Sequence, residues 1–193
     1  MYPKGNKELE ILKLYTGNYK RRLYLREISK LAEISLKATQ NAVAALEEKR
    51  VLKSVVEGKN KYLFLNLENI QTKFLLLQAE LYKTAKFVDK YPIFKTFIKE
   101  LGQENTLIAF GSFARFSAGK DSDLDLLVIS EKESKIPFHL LPYKIHEIRM
   151  KHSSFLKAFE KKENLVKEVE ENHILFNNIS FFVDIMWDNY GQQ

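Results

Sequence analysis

A glycine–serine pair and an Asp-x-Asp pair, ten residues apart, constrain the fold of this chain more than any other feature of its sequence. Gly111 and Ser112 directly follow the apolar run 106–110 (TLIAF), and Asp123 and Asp125 lie where a second apolar run (LDLLVIS) begins. Short apolar runs bounded by polar residues predict buried strands. The segment is therefore expected to form a strand, a helical turn and a second strand that begins at the carboxylates.

The two halves of this motif carry polar groups suited to a phosphate and to a metal ion. A helix that begins at Gly111 and Ser112 directs unpaired N–H groups outward, and glycine lets a phosphate approach the backbone closely. Residues at i and i+2 of a strand share a face, so Asp123 and Asp125 point to the same side. Two neighbouring carboxylates repel each other unless cations neutralise them, and Mg²⁺ binds one or two carboxylates together with substrate phosphates.

The rest of the C-terminal half alternates strands and helices. A third strand is predicted at 144–150 (KIHEIRM), where period-two alternation adds Glu147 and places His146 on the opposite face. Helices are predicted at about 153–161 and 163–171, and the apolar segment 181–187 is compatible with a strand or a helix. The fold class predicted for the chain is mixed α/β (α+β).

In the Gly-Ser, ten-residue, Asp-x-Asp pattern the sequence resembles the nucleotidyltransferase superfamily of polymerase-β type, especially its minimal bacterial and archaeal members. The resemblance covers about residues 104–187 and is carried by Gly111, Ser112, Asp123 and Asp125. It implies a C-terminal nucleotidyltransferase fold with a small mixed sheet and flanking helices.

For function, the resemblance implies Mg²⁺-dependent transfer of a nucleoside monophosphate from an NTP, with ATP the first choice, to an acceptor hydroxyl. The carboxylates would hold two divalent ions, Mg²⁺ or Mn²⁺, about 3.5–4 Å apart, and the glycine–serine pair would bind the triphosphate. Glu147 would complete the second metal site, although family members usually have aspartate there. The implied catalytic and metal-binding residues are Asp123, Asp125 and Glu147, and the implied nucleotide-binding residues are Gly111, Ser112, Arg115 and Lys120.

The acceptor of the nucleotidyl group is expected in trans. The connection 131–143 is short, and we expect no large helical acceptor-binding domain of the kind that many members of the superfamily have. Some minimal relatives are antitoxins that adenylylate a toxin, so a partner protein is one option, besides an RNA end or a small molecule. The alternative function is a DNA-binding regulator whose nucleotidyltransferase-like domain only binds nucleotide or dimerises. Taken alone, Ser112 is equally well explained as a helix N-cap.

The excess of positive charge is confined to the first third of the chain. Residues 1–67 contain 14 Lys and Arg against 7 Asp and Glu, whereas the remainder contains 17 against 18. This asymmetry favours a polyanion as the partner of the N-terminal segment. A solvated basic face is the other interpretation.

Residues 1–67 are predicted to form three helices and a hairpin. Helices are predicted at 7–15, 25–32 and 35–49, and strands at 52–56 and 61–65. In this order the segment resembles the winged helix-turn-helix family, whose second motif helix enters the major groove. The DNA-binding residues that the resemblance implies are Ser35, Lys37, Gln40 and Asn41 on that helix and Lys53, Lys59 and Lys61 in the wing. A winged helix used for dimerisation or protein docking is the alternative. Arg50 stands where many relatives have a glycine that closes the helix.

A helical connector is predicted between the two parts, which gives domain limits of 1–67, 68–104 and 105–193. Phe74, Leu77 and Leu81 make its apolar stripe, which is expected to pack against a domain or against a second copy in a homodimer. Pro92 is expected to end one helix or begin the next.

The composition excludes several kinds of chemical site and argues against a membrane-spanning segment. The chain of 193 residues has no cysteine, so disulfides, thiolate metal sites and cysteine nucleophiles are excluded. No apolar run reaches the roughly 18 residues that span a bilayer, and the start (MYPKGNKELE) has no secretory apolar core. We therefore expect a cytoplasmic protein that does not contact membranes.

Overall fold

The structure is a computed structural model that describes residues 6–102, 104–132 and 135–191. It contains two compact units, one formed by residues up to Tyr82 together with the segment from Met186, and the other by Lys83–Ile185. Both units mix helices and strands, which confirms the predicted mixed α/β class. The domain limits at residues 67 and 104 stay a prediction. Among the described residues, no helix combines the length and the apolarity needed to cross a bilayer.

Residues 6–67 of the N-terminal unit form three helices and a hairpin, in the predicted order. The elements of the unit are α1 (Lys7–Leu12), β1 (Leu23–Tyr24), α2 (Leu25–Ala32), α3 (Leu36–Glu48), β2 (Leu52–Glu57), β3 (Asn60–Leu65), the first part of α4 (Ile70–Lys90) and the helical segment that begins at Met186. α1 ends three residues earlier than predicted because the chain turns at 13–17, where the Thr16 hydroxyl donates to the Lys13 carbonyl at 3.0 Å. The short strand β1, which was not predicted, pairs with β3.

The ends of α3 follow local rules. Ser35 is its N-cap, and the Ser35 Oγ accepts a hydrogen bond from the Ala38 N–H at 3.3 Å, as the sequence predicts. After its last turn, Arg50 has a positive φ of 55°. The Val51 N–H then donates to the Leu46 carbonyl at 2.8 Å, which closes the helix in the manner usually seen with glycine at this position.

A three-stranded antiparallel sheet covers this helical core. β2 and β3 form the hairpin, and Glu57 lies opposite Asn60 across a turn in which Gly58 has a φ of +61°. The Tyr15 side chain is fully buried beneath the sheet, and its hydroxyl donates to the Leu63 carbonyl at 3.1 Å. Burial raises the pKa of the Tyr15 hydroxyl, which therefore stays protonated as a donor.

The C-terminal unit is built on a four-stranded sheet. Its elements are the second part of α4, α5 (Phe94–Lys99), β4 (Thr106–Phe110), α6 (Gly111–Ala114), β5 (Leu124–Ile129), a short 3₁₀ helix (Phe138–Leu140), β6 (Ile145–Met150), α7 (His152–Glu160), α8 (Asn164–Glu171), β7 (Ile174–Leu175) and the first part of α9 (Ile179–Gly191). The strand order is β6-β5-β4-β7, with β5 and β6 parallel and the other pairs antiparallel. The sheet is therefore small and mixed, as predicted.

Aromatic side chains fill the core on one face of this sheet. Phe94 of α5 lies at its centre, with ring centroids 4.7 Å from Phe87 and 5.5 Å from Phe176. Leu124, Leu126 and Val128 of β5 point into the same core. Alternation along β5 therefore leaves the residues before and between these leucines on the other face.

Candidate active site

The end of β4 places Gly111 against a carboxylate of the neighbouring strand. Phe110 lies opposite Asp125 in the antiparallel pair of β4 and β5, and α6 begins at the next residue. Gly111 has a φ of +66°, and a Cβ added there would lie only 2.2 Å from Asp125 Oδ2. Real Cβ atoms do not approach an oxygen so closely, so the absence of a side chain at Gly111 creates the space that the Asp125 carboxylate occupies.

The two aspartates face the same side of the sheet, as predicted, and two basic side chains face them, one directly before β6 and one within it. Asp123 is 46% exposed and Asp125 is 28% exposed. Lys144 Nζ lies 3.0 Å from Asp123 Oδ2, and His146 Nδ1 lies 3.1 Å from Asp125 Oδ1. The mutual repulsion of the carboxylates is thus reduced by polar partners within the same unit.

Glu147 does not join the aspartates, which corrects the expectation that it supplies the third carboxylate of the site. In the parallel register of β5 and β6, Asp125 lies beside His146, and Glu147 lies beside the core residue Leu126. Because neighbours in register share a face, Glu147 points to the side opposite the aspartates. There its Oε1 lies 2.5 Å from Arg149 Nε, and both residues line a separate cavity with α5.

The other predicted nucleotide-binding residues lie around the turn after β4. Ser112 is half-buried at the start of α6, and its carbonyl accepts from the Ser117 N–H at 3.0 Å. Arg115 Nη1 lies 3.5 Å from Glu168 Oε1 of α8, so its observed partner is a carboxylate outside the predicted site. Lys120 is exposed in the loop that leads to Asp123.

The described side chains do not by themselves form a metal site. They contain no group of three His, Asp or Glu residues placed to hold a metal ion. Asp123 and Asp125 nonetheless share a face beside the space at Gly111. This arrangement fits an ion held by two carboxylates and completed by substrate phosphates, which is the way proteins commonly hold Mg²⁺.

The predicted DNA-binding residues lie on the surface of the N-terminal unit. Ser35, Lys37, Gln40 and Asn41 lie at or near the start of α3, where Lys37 and Gln40 are exposed. The wing lysines differ from one another. Lys59 is exposed at the hairpin turn, whereas Lys53 pairs with Glu68 at 2.7 Å and Lys61 pairs with Glu47 of α3 at 2.8 Å.

Comparison with known protein families identifies the C-terminal half. Residues 92–188, half of the chain, match the model of the nucleotidyltransferase domain family. The chain belongs to this family. Comparisons with curated proteins and with solved structures gave no significant match. The match covers α5, both aspartates and all of β6, so the site described above lies inside the nucleotidyltransferase domain.

Membership in this family supports transfer of nucleotidyl groups as the general type of activity. It also confirms the predicted resemblance in its C-terminal part. The residue that sequence reasoning missed is His146, which occupies the place beside Asp125 that was expected for a carboxylate. Alternation within KIHEIRM separates His146 from Glu147, but only the strand register decides which of them faces the aspartates.

Proposed function

We propose that the nucleotidyltransferase domain transfers a nucleoside monophosphate from an NTP, with ATP the first choice, to an acceptor hydroxyl supplied in trans. The observation that carries this proposal is the fit of the Asp125 carboxylate against Gly111. It brings the metal-binding half of the motif into contact with the phosphate-binding half. A solvated strand end would not need a glycine with a positive φ at this point.

Each residue of the motif has a separate task in this proposal. Gly111 and Ser112 bind the triphosphate through backbone N–H groups and the serine hydroxyl. Asp123 and Asp125 hold divalent ions, Mg²⁺ or Mn²⁺. When bound, these ions neutralise charge on the transferring phosphoryl group and lower the pKa of the acceptor hydroxyl.

Lys144 and His146 compete with a cation for the same carboxylates. They contact Asp123 Oδ2 and Asp125 Oδ1 at 3.0 and 3.1 Å. Both basic side chains are largely exposed, and exposed ion pairs contribute only about 0–1 kcal/mol. They can therefore turn away at small cost when metal and triphosphate bind.

Removal of the carboxylates tests the proposal. The chain is incubated with Mg²⁺, ATP labelled at the α-phosphate and candidate acceptor proteins, and transferred label is measured. Asp123→Asn together with Asp125→Asn should lower transfer by at least about 100-fold, the usual effect of removing electrostatic stabilisation of a transition state. Asp121→Asn makes the same kind of change at an exposed neighbour outside the site, so it is the control for each single replacement and should keep transfer within about twofold. Undiminished transfer by the double variant would refute the proposal.

We propose in addition that the N-terminal unit is a winged helix that binds DNA through α3. The support is the exposure of Gln40, a side chain that can bind adenine through two hydrogen bonds, on a unit with excess positive charge. Gln40→Ala should cost roughly 1–3 kcal/mol on a selected site and little on random duplex DNA. Lys59→Ala should reduce the salt slope of binding by about one unit for every sequence.

The regulator hypothesis makes the opposite prediction for transfer. A DNA-binding regulator with an inactive domain would bind a selected operator but would transfer no label from ATP. If selection from random duplexes enriches no sequence and binding does not depend on salt, the N-terminal unit is a protein-docking module instead. Gel shifts over a range of salt concentrations distinguish these outcomes.

We also propose that the protein is a homodimer that uses the exposed stripe of α4. Ile70, Phe74 and Leu81 are 54%, 56% and 53% exposed, and with the half-buried Leu77 they recur at helical spacing. A row of large apolar side chains on one helix favours a partner helix over solvent. A second copy of the chain is the partner that would also pair two DNA-binding helices.

A further inference from the structure

A cavity of about 520 Å³ lies in the N-terminal unit beside the hairpin. Its volume is within the roughly 300–1,000 Å³ range of small-molecule sites in proteins. It contains none of the residues proposed for nucleotidyl transfer, and it shares only Lys53 with the proposed DNA interface. The cavity therefore needs an explanation of its own.

One side of the cavity is aromatic and apolar. Tyr19 packs against Tyr190 with ring centroids 5.7 Å apart, and Phe64 of β3 lines the cavity together with Val55 and Leu67. Flat apolar walls of this kind bind the faces of planar rings, and stacking of a nucleic acid base on an aromatic side chain contributes about 1–3 kcal/mol.

Basic groups lie over these rings. Lys20 Nζ is 5.7 Å from the centre of the Tyr190 ring, and Arg22 Cζ is 5.9 Å from the centre of the Phe64 ring. Lys53 also lines the cavity, and Glu68 is the only acid among the described lining residues. The lining therefore carries three cations against one carboxylate.

The partners of these cations can be exchanged. Arg22 pairs with Glu57 at 2.6 Å and Lys53 pairs with Glu68 at 2.7 Å, but all four side chains are substantially exposed. Such pairs contribute little to stability, so a ligand anion can replace the carboxylates at small cost. A phosphate monoester carries about −1.5 to −2 charges at neutral pH, which matches the lining better than a single carboxylate does.

We propose that this cavity binds a nucleoside monophosphate. Its base packs against the aromatic wall, and its phosphate pairs with Arg22 and Lys20. The N-terminal unit thereby gains a nucleotide site separate from the transferase site. The proposal does not depend on whether the aspartates catalyse transfer.

The single tryptophan of the chain provides a probe of this cavity. A Cβ built on Gly191, which lines the cavity, would lie 4.0 Å from Trp187 Nε1. AMP is titrated against the chain that carries Asp123→Asn and Asp125→Asn, in EDTA, so that metal-dependent binding at the aspartates does not contribute. AMP should change the Trp187 fluorescence with saturation, and adenosine, which has no phosphate, should bind at least tenfold more weakly. Titration calorimetry with the same two compounds measures binding independently of the fluorophore.

Substitutions in the lining locate the bound nucleotide. Arg22→Ala should weaken AMP binding at least fivefold, whereas Arg26→Ala, an equal loss of charge at an exposed position outside the lining, should change it less than twofold. Val55→Phe keeps the cations and fills the cavity, so it should also weaken AMP binding at least fivefold. Thermal unfolding of each variant verifies that it is folded.

Three outcomes would overturn the proposal. The first is that AMP shows no saturable binding by either method. The second is that benzoate, a planar ring with one carboxylate, binds as tightly as AMP. The third is that Arg26→Ala weakens AMP binding as much as Arg22→Ala does. A failure to transfer label from ATP would leave all three results unchanged.

Discussion

Replacement of Gly111 by alanine probes the contact on which the proposed active site depends. Gly111 has a φ of +66°, and an alanine in this left-handed conformation costs about 1–2 kcal/mol of stability. The lower entropy of the unfolded chain offsets about 0.4–1 kcal/mol of this cost. The new Cβ would also lie 2.2 Å from Asp125 Oδ2, so the carboxylate or the backbone must move. Overpacking of this kind costs about 1–3 kcal/mol, which gives a total loss of about 2–4 kcal/mol.

Gly58 is the matched control for the part of this loss in unfolding free energy that comes from the backbone conformation. Its φ is +61°, and a Cβ added there would meet nothing within 4 Å. Gly58→Ala should therefore cost about 1 kcal/mol, from the backbone penalty alone. The excess cost of Gly111→Ala over Gly58→Ala measures the contact with the carboxylate.

A double-mutant cycle assigns that excess to Asp125. In the Asp125→Ala background the nearest remaining atom would be the Cβ of residue 125, at an ordinary contact distance of 3.5 Å, so Gly111→Ala should again cost about 1 kcal/mol. Urea unfolding followed by circular dichroism measures each free energy of unfolding. If Gly111→Ala costs the same with and without the Asp125 carboxylate, the reasoning about this site is wrong.

Three further predictions concern other parts of the chain. Arg50→Gly should raise the free energy of unfolding by about 0.5–1 kcal/mol in urea titrations, because Arg50 has a φ of +55°. Glu147→Gln should change the rate of label transfer less than about threefold, because Glu147 faces away from the aspartates. Phe74→Glu should convert the proposed dimer into a monomer in analytical ultracentrifugation, because a charge cannot be buried in an apolar helix interface without a large cost.

Controls make each of these results decisive. Lys49→Gly, one residue before Arg50 and in a right-handed conformation, should lower stability and not raise it. If Glu147→Gln slowed label transfer as strongly as loss of the two aspartates does, Glu147 would belong to the active site after all. Gln71→Glu adds the same charge at an exposed position of α4 and should keep the dimer, so dissociation of both variants would place the interface elsewhere.

Local sequence patterns predicted most of the helices and strands, because the residues that determine each element lie within a few positions of it. The bounds of α2 and β4 agree with the sequence because apolar spacing and flanking polar residues define both. The segment 181–187 is part of the helix α9, which the sequence could not decide since a short apolar run fits either structure. The two-residue strand β7 has no local signal and forms only because β4 lies beside it.

The sequence also predicts one part of the candidate site and not the other. Gly111, Ser112, Asp123 and Asp125 lie within one strand–helix–strand segment, so their spacing in the sequence predicts their arrangement. The prediction for Glu147 was wrong because its direction depends on how β6 pairs with β5, and a shift of one residue reverses the faces of a strand. Pairing between strands separated by a connection of variable length is not encoded in either strand alone.

The position of β6 at the end of the strand order has a consequence for solubility. One of its edges pairs with no strand in the described part of the chain, and such an edge can template the addition of a strand from another molecule. His146, Glu147 and Arg149 put polar and charged groups on both faces of this strand. Charges on an exposed edge strand are a common defence against aggregation. His146, which borders Asp125, and the Glu147–Arg149 pair on the opposite face therefore also protect this edge from self-association. Replacement of these residues by apolar ones would favour aggregation even if the activity survived.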